Sequence, residues 1–278
     1  MKFEGKELSH LGLNLQAVIN LKDLPPELNN QLALTSEKFN QYSQLILIGH
    51  AGQKLWQKLK RWQELNLSSK TSEDPIDCFS KYHVEKYFND RLNADDFEII
   101  FPLSKPAQNT QQSFLNLQEI GQLVGWHHPS PFGVGINQQW GSWFAYRAVV
   151  LSKSDFQPTK PLNAMSPCQN CEKKPCIQAC PADALDRESL NLDLCLSYRR
   201  KENSSCQERC IARMSCPVAK EHQYDLQQIK YLTFRTKLYF HKQSHLNMQP
   251  EYIFSQYISL DFSLRHTPRY HRRHSKVS

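Results

Sequence analysis

Apolar and polar positions alternate or recur with different periods along the first 160 residues, and the periods predict a mixed set of elements. Leu13 to Leu21 alternates as a strand and is closed by Leu24-Pro25-Pro26. Leu45 to Ile48 is continuously apolar, the pattern of a strand buried on both faces. It runs into Gly49-His50-Ala51-Gly52 and then a helix, where Leu55, Leu59 and Trp62 recur at helical spacing. Asp74-Pro75 opens a second helix that runs to Tyr87 or Phe88. Phe97 to Phe101 is a short strand stopped by Pro102. Leu117, Ile120 and Val124 mark a third helix, which Gly125 ends in a left-handed conformation. Trp143 to Leu151 carries the strongest strand signal in the chain.

The pattern then changes. Residues 161–223 have little periodicity, and residues 224–243 read as a helix with Tyr231, Phe234 and Leu238 on one face. Residues 244–278 run into a basic tail with too few apolar side chains to fold alone. The expected organisation is an α+β domain over 1–160, a small domain over 161–223, a C-terminal helix over 224–243 and a disordered tail over 244–278.

Charge changes this picture little. The net charge is +7, and Arg265, Arg269, Arg272, Arg273 and Lys276 supply five of those charges, so the body is close to neutral. A solvated tail is the simplest reading, and nucleic acid is not an expected partner. No apolar run approaches the ~18 residues that span a bilayer, so no membrane is expected. Met1 to Leu21 lacks a secretion-signal core, and the expected compartment is the cytoplasm.

Cysteine changes the picture most. Of nine cysteines only Cys78 lies outside residues 168–216, and a cytosolic chain keeps thiols reduced, so the cluster points to metal rather than disulfides. Cys168, Cys171, Cys176 and Cys180 are followed by Pro181; Cys195, Cys206, Cys210 and Cys216 are followed by Pro217. A cubane takes one thiolate per iron, and a short loop reaches three corners but not the fourth. The fourth ligand therefore crosses over. We expect Cys168, Cys171, Cys176 and Cys216 on one cluster, and Cys180, Cys195, Cys206 and Cys210 on the other. The proline after each crossing cysteine fixes φ and helps turn the chain. Lys173, Lys174, Arg199, Arg200, Arg209 and Arg213 lie near in sequence and would raise the cluster potentials. The competing reading is a pair of four-cysteine zinc sites, which favour paired short knuckles over Cys176-x3-Cys180-Pro181. Cys78 is expected to be a small core residue.

The cysteine segment resembles bacterial double-[4Fe–4S] ferredoxin-type proteins and the ferredoxin domain of the epoxyqueuosine reductases. The shared pieces are the first Cys-Pro run, Cys195 before Ser197-Tyr198, and the final Cys-Pro. The first 155 residues resemble CblC-type cobalamin-processing proteins through Asp74 to His83, Asp96 to Ile100 and Trp140 to Leu151. That resemblance implies a nitroreductase-like α+β fold with a mixed sheet, holding a cobalamin or flavin mononucleotide. Two departures stand beside it. The D-T-G-P stretch whose aspartate donates a proton in epoxyqueuosine reductases has no counterpart within His127 to Gln139, and D-x-H-x-x-G is absent.

If alternation holds along the last strand, Arg147 shares a face with Trp143, Ala145, Val149 and Leu151, where a charge needs a partner. By family match Arg147 contacts an anionic ligand, and Gly141, Ser142, Trp143 and Phe144 line the same pocket. Gly49 to Gly52 reads as a plain turn before a phosphate site, and His50, His127 and His128 read as solvated histidines without a catalytic assignment. The expectation is an iron–sulfur redox protein, in enzyme terms a cobalamin- or flavin-linked reductase. It would pass electrons from a redox protein or small reductant, through two clusters, to a corrinoid, flavin or substrate on the first domain. The alternative is an electron carrier or adaptor with no catalytic site of its own.

Overall fold

A computed structural model describes residues 2–66, 74–102, 115–187 and 189–233. The tail and the second half of the expected C-terminal helix lie outside the described residues. Its centre is one four-stranded antiparallel sheet in the order β1-β2-β4-β3. The strands are β1 (Leu15–Asn20), β2 (Gln44–Ala51), β3 (Phe97–Phe101) and β4 (Phe144–Ser152). Every pairing is antiparallel, and the two inner strands β2 and β4 are buried almost throughout.

Helices cover both faces, which is why β2 reads as a continuous apolar run. On one face Leu45, Leu47, Val149 and Leu151 pack against Leu28 and Leu32 of α2 (Pro26–Thr35) and Ile120 of α5 (Leu117–Leu123). On the other, Ile46, Ile48, Ala148 and Val150 meet Leu8 of α1 (Lys6–His10). The same layer holds Leu55 and Leu59 of α3 (Lys54–Leu65) and Phe79, Val84 and Phe88 of α4 (Pro75–Asn89). Asp74 caps α4 by accepting the Asp77 N–H at 3.2 Å, and Pro75 follows at the first helical position, where its missing N–H costs nothing. Gly125 ends the turn after α5 at φ +72°, and a Cβ there would sit 2.1 Å from the Leu162 carbonyl oxygen.

Two expectations about this layer are corrected. Cys78 is exposed, because the stripe through Ile76, Phe79, Ser80 and Val84 turns position 78 outward. His50 is 1% exposed, because β2 does not stop at Ile48 but continues to Ala51, which pairs with Phe144. His127 is buried as well, 3.3 Å from the Tyr146 hydroxyl, and His128 is half-buried.

A third correction concerns alternation in β4. The β2–β4 register passes from Ile48↔Ala148 to Gly49↔Tyr146, so Arg147 is the extra residue of a β-bulge. Phe144 and Tyr146 therefore share a face with Val149 and Leu151, and Arg147 stands outside the alternation. The face expected to hold Trp143, Ala145, Arg147, Val149 and Leu151 together does not form.

The cysteine segment has only short helices: α6 (Pro175–Gln178), α7 (Leu192–Arg200) and α8 (Ile211–Ser215). The chain then returns to the sheet module. Gln53 Nε2 donates to the Gln223 carbonyl at 2.7 Å, and Tyr231, in a helix over 226–233, packs its ring 5.0 Å from that of Trp56.

Candidate functional site

α6 and α8 pack against each other and bring the early and late cysteines together. Cys176 and Cys216 lie in one apolar cluster with Cys168, Cys180 and Cys210 at its margin. Burial pushes the Cys168 thiol up to about 11, with Cys216 and Cys176 adding to the rise and Lys174 opposing it. Burial also raises Cys176, reinforced by Cys216 and Cys171, and Cys216, reinforced by Cys171. Cys195 is raised by burial, lowered by Arg199 and raised again by Cys210 and Cys180. Cys206 is buried nearby in sequence, its N–H donating to Ser204 Oγ at 3.2 Å.

Local backbone geometry serves the sulfurs. Lys174 adopts φ +37° immediately before α6, turning the chain so that Pro175 starts the helix and Cys176 faces inward. Cys210 caps α8, its Sγ accepting the Arg213 N–H at 3.5 Å. The nearby backbone N–H groups of Ile177 and Val218 oppose the rise that burial causes at Cys176 and Cys216. Donors to sulfur stabilise the anionic thiolate. Among the described residues no group of three or more His, Cys, Asp or Glu side chains is arranged around a single ion. A cubane asks for a different arrangement, with sulfurs set around four irons rather than drawn to one centre.

The sheet module contributes the cover. Phe132, Val134 and Ile136 pack directly on the cysteine cluster from the loop ahead of β4. Their alternating spacing is the one signal the sequence offers for this cover. Gly141 is forced by the same contact: it has φ +56°, and a Cβ would lie 2.4 Å from the Val218 carbonyl oxygen.

The five residues expected to hold a cofactor are divided by the structure. Ser142 is 0% and Trp143 1% exposed, both covered by the cysteine segment and the residues after it. Phe144 lies in the core layer with Tyr146, their rings 6.0 Å apart. Arg147 is drawn to His50 and Asp77 instead. Its Nε donates to His50 Nδ1 at 3.0 Å, and Nη1 lies 3.9 Å from the Asp77 carboxylate. Because Nδ1 accepts, His50 carries its proton on Nε2, which donates to the Tyr224 hydroxyl at 3.1 Å. Burial, with Arg147 and Arg213 close by, holds the His50 pKa well below the usual histidine value, so the ring is neutral. Gly49 to Gly52 forms a strand end and a turn, with Gly52 beside His222.

A second arginine completes this junction. Arg213 Nε donates to Ser142 Oγ at 3.2 Å, and Nη2 donates to the Ser142 carbonyl. Its guanidinium sits 4.5 Å from the Trp143 ring centroid and 5.4 Å from that of Tyr224. A buried polar array therefore runs from Asp77 through Arg147, His50 and Tyr224 to Arg213 and on to the cysteines.

No protein-family model matches the chain, and no curated protein matches it. Among solved structures it is similar to epoxyqueuosine reductase from Bacillus subtilis, at 13% identity and TM-score 0.44 over 80% of this chain and 65% of that one. It is similar to an epoxyqueuosine reductase held with an epoxyqueuosine-modified tRNA-Tyr stem loop, at 14% identity and TM-score 0.44 over 81% and 66%. A C. elegans B12-trafficking protein, CblC, gives 11% identity and TM-score 0.44 over 79% and 84%. The chain spans just under two thirds of the length of the two reductases. Likeness at this level bears on neither chemistry nor partners. Among the described residues no helix is long and apolar enough to cross a membrane.

Proposed function

We propose that this chain is an iron–sulfur redox protein in which two [4Fe–4S] clusters, held by residues 168–216, relay electrons toward a corrinoid or flavin on the sheet module. The observation that carries the reading is the packing of α6 against α8, which sets Cys176 and Cys216 in one apolar cluster with Cys168, Cys180 and Cys210 at its margin. The last cysteine is thereby brought to the first loop, as a crossed arrangement would need. The donor set is all thiol, which suits iron–sulfur chemistry. Cys206 completes the second set by its place in the sequence. The clusters would supply one-electron steps, while the protein holds their thiolates, shields them with Phe132, Val134 and Ile136, and offers N–H donors to sulfur.

A second reading has its own support. Ser142 and Trp143 are covered, and Arg147 is held by His50 and Asp77, so the side chains expected to meet a cofactor are already engaged in packing. That favours an electron carrier or adaptor without a catalytic site.

Anaerobic purification tests the first claim: about eight irons and matching acid-labile sulfide per chain are expected, and a colourless zinc protein overturns it. Titration with cob(II)alamin and with flavin mononucleotide then separates the readings. A spectral shift with either ligand supports the reductase; none with both leaves the carrier. One solved neighbour holds a tRNA stem loop, so a gel shift with such a stem loop belongs beside these, with no retardation at physiological salt expected.

A further inference from the structure

Arg213 is half-buried and has an unusual set of neighbours. Among the described residues it forms no ion pair with a carboxylate, and its side-chain contacts are Ser142, the Trp143 ring and Tyr224. A half-buried cation without a carboxylate partner is costly. The candidate anions are on its own helix. α8 is a single five-residue turn with Cys210 at its N-cap and Cys216 at its C-cap, so Arg213 stands midway between two expected ligands of different clusters. The Arg213 N–H donates to Cys210 Sγ at 3.5 Å and the Cys216 N–H donates to the Arg213 carbonyl at 3.3 Å, so one turn ties the residue to both. Arg199, half-buried like Arg213, stands on α7 and acts on Cys195 of the second set only.

We infer that Arg213 is a positioning residue whose fixed positive charge is shared by both clusters, raising both reduction potentials together while its fork on Ser142 holds it between them. This rests on the two-cluster reading above. Each cluster takes one electron from an external reductant, and four thiolates leave it net negative, more so when reduced. A guanidinium at fixed distance therefore favours the reduced form of both. Arg213 itself neither gains nor loses a proton in the step.

The test is a dithionite titration of the full-length, anaerobically purified protein with mediator dyes, followed by electron paramagnetic resonance. Iron and sulfide on the unaltered chain are measured first: well under eight irons ends the cluster reading itself. With iron in place, Arg213→Met should shift both midpoints downward by about tenfold in the reduced-to-oxidised ratio, about 59 mV for a one-electron couple. Arg213→Lys should keep both within about threefold of the unaltered chain, and Arg199→Met should move one midpoint only. If Arg213→Met does not retain iron, Arg213→Gln takes its place against Arg213→Lys. Unmoved midpoints, movement of one alone, or equal midpoints in the Lys and neutral variants would overturn the role of Arg213 while leaving the clusters standing.

Discussion

The sheet module and the cysteine segment are held together by different physics. In the first, both faces of β2 and β4 bury aliphatic and aromatic side chains against helices of up to 15 residues. In the second, helices of four, nine and five residues surround a small cluster whose members include the cysteines themselves. Helices that short do not hold in water without tertiary support. Apolar area supports the first region, whereas on the proposed reading the second leans on the clusters its thiols would hold. The lesson is that one chain can join a fold built on apolar packing to one built on short turns and thiols, across a polar seam.

Removing iron should break this contrast open most widely. In protein stripped by chelator and oxidant, amides of residues 168–217 are expected to exchange with deuterium at least about a hundredfold faster. Those of β2 and β4 should keep their protection. Uniform loss in both regions would show that the two do not differ in kind.

The converse perturbation follows. Leu47→Ala deletes a fully buried side chain in the sheet and should cost about 2–5 kcal/mol in urea unfolding. Iron per folded chain should stay unchanged. Loss of iron at mild denaturant would mean that the cysteine segment leans on the sheet far more than its own contacts suggest.

The seam can be tested at Gly141. Gly141→Ala places a Cβ against the Val218 carbonyl at a positive φ, for about 1–3 kcal/mol of strain. It should open the junction to limited proteolysis while β2 and β4 remain protected.

The smallest effect concerns pH. The folded-state pKa of His50 is depressed, so the unfolded chain binds a proton first as pH falls below the ordinary histidine value of 6.5. Its contribution to stability is full above that value and is lost on acidification, by at most about 1.4 kcal/mol per pH unit. His50→Asn should flatten the fall in Tm between pH 7 and pH 5. His83 and His128 are depressed in the same direction by burial and keep part of the slope. An unchanged slope would remove His50 from the seam's energetics.

Much of the sheet module was legible because long periodic segments declare themselves. The cap at Asp74, the stop at Gly125 and all four strands lie within a few residues of their expected places. What was missed has a common cause. His50, Trp143 and Arg147 were read from their immediate neighbours, but their surroundings come from residues about 70 to 170 positions away, in α4, α8 and at Tyr224. Cys78 departs from expectation for a local reason: helical phase, not residue type, decides its exposure. The cysteine set stood out by composition, whereas its cover by Phe132, Val134 and Ile136 could be seen only once the loop was placed over it.

The bulge at Arg147 has a consequence for inheritance of the strand. Even-numbered residues face one side before it and odd-numbered residues after it, so this position changes the parity of β4. A charged side chain survives at 11% exposure because neither frame owns it. Deleting that one residue would bring the strand into a single frame while leaving Val149 and Leu151 on the face of Phe144 and Tyr146, and Ala148 and Val150 on the other. Loss of position 147 therefore spares both core layers and removes only the contacts to His50 and Asp77.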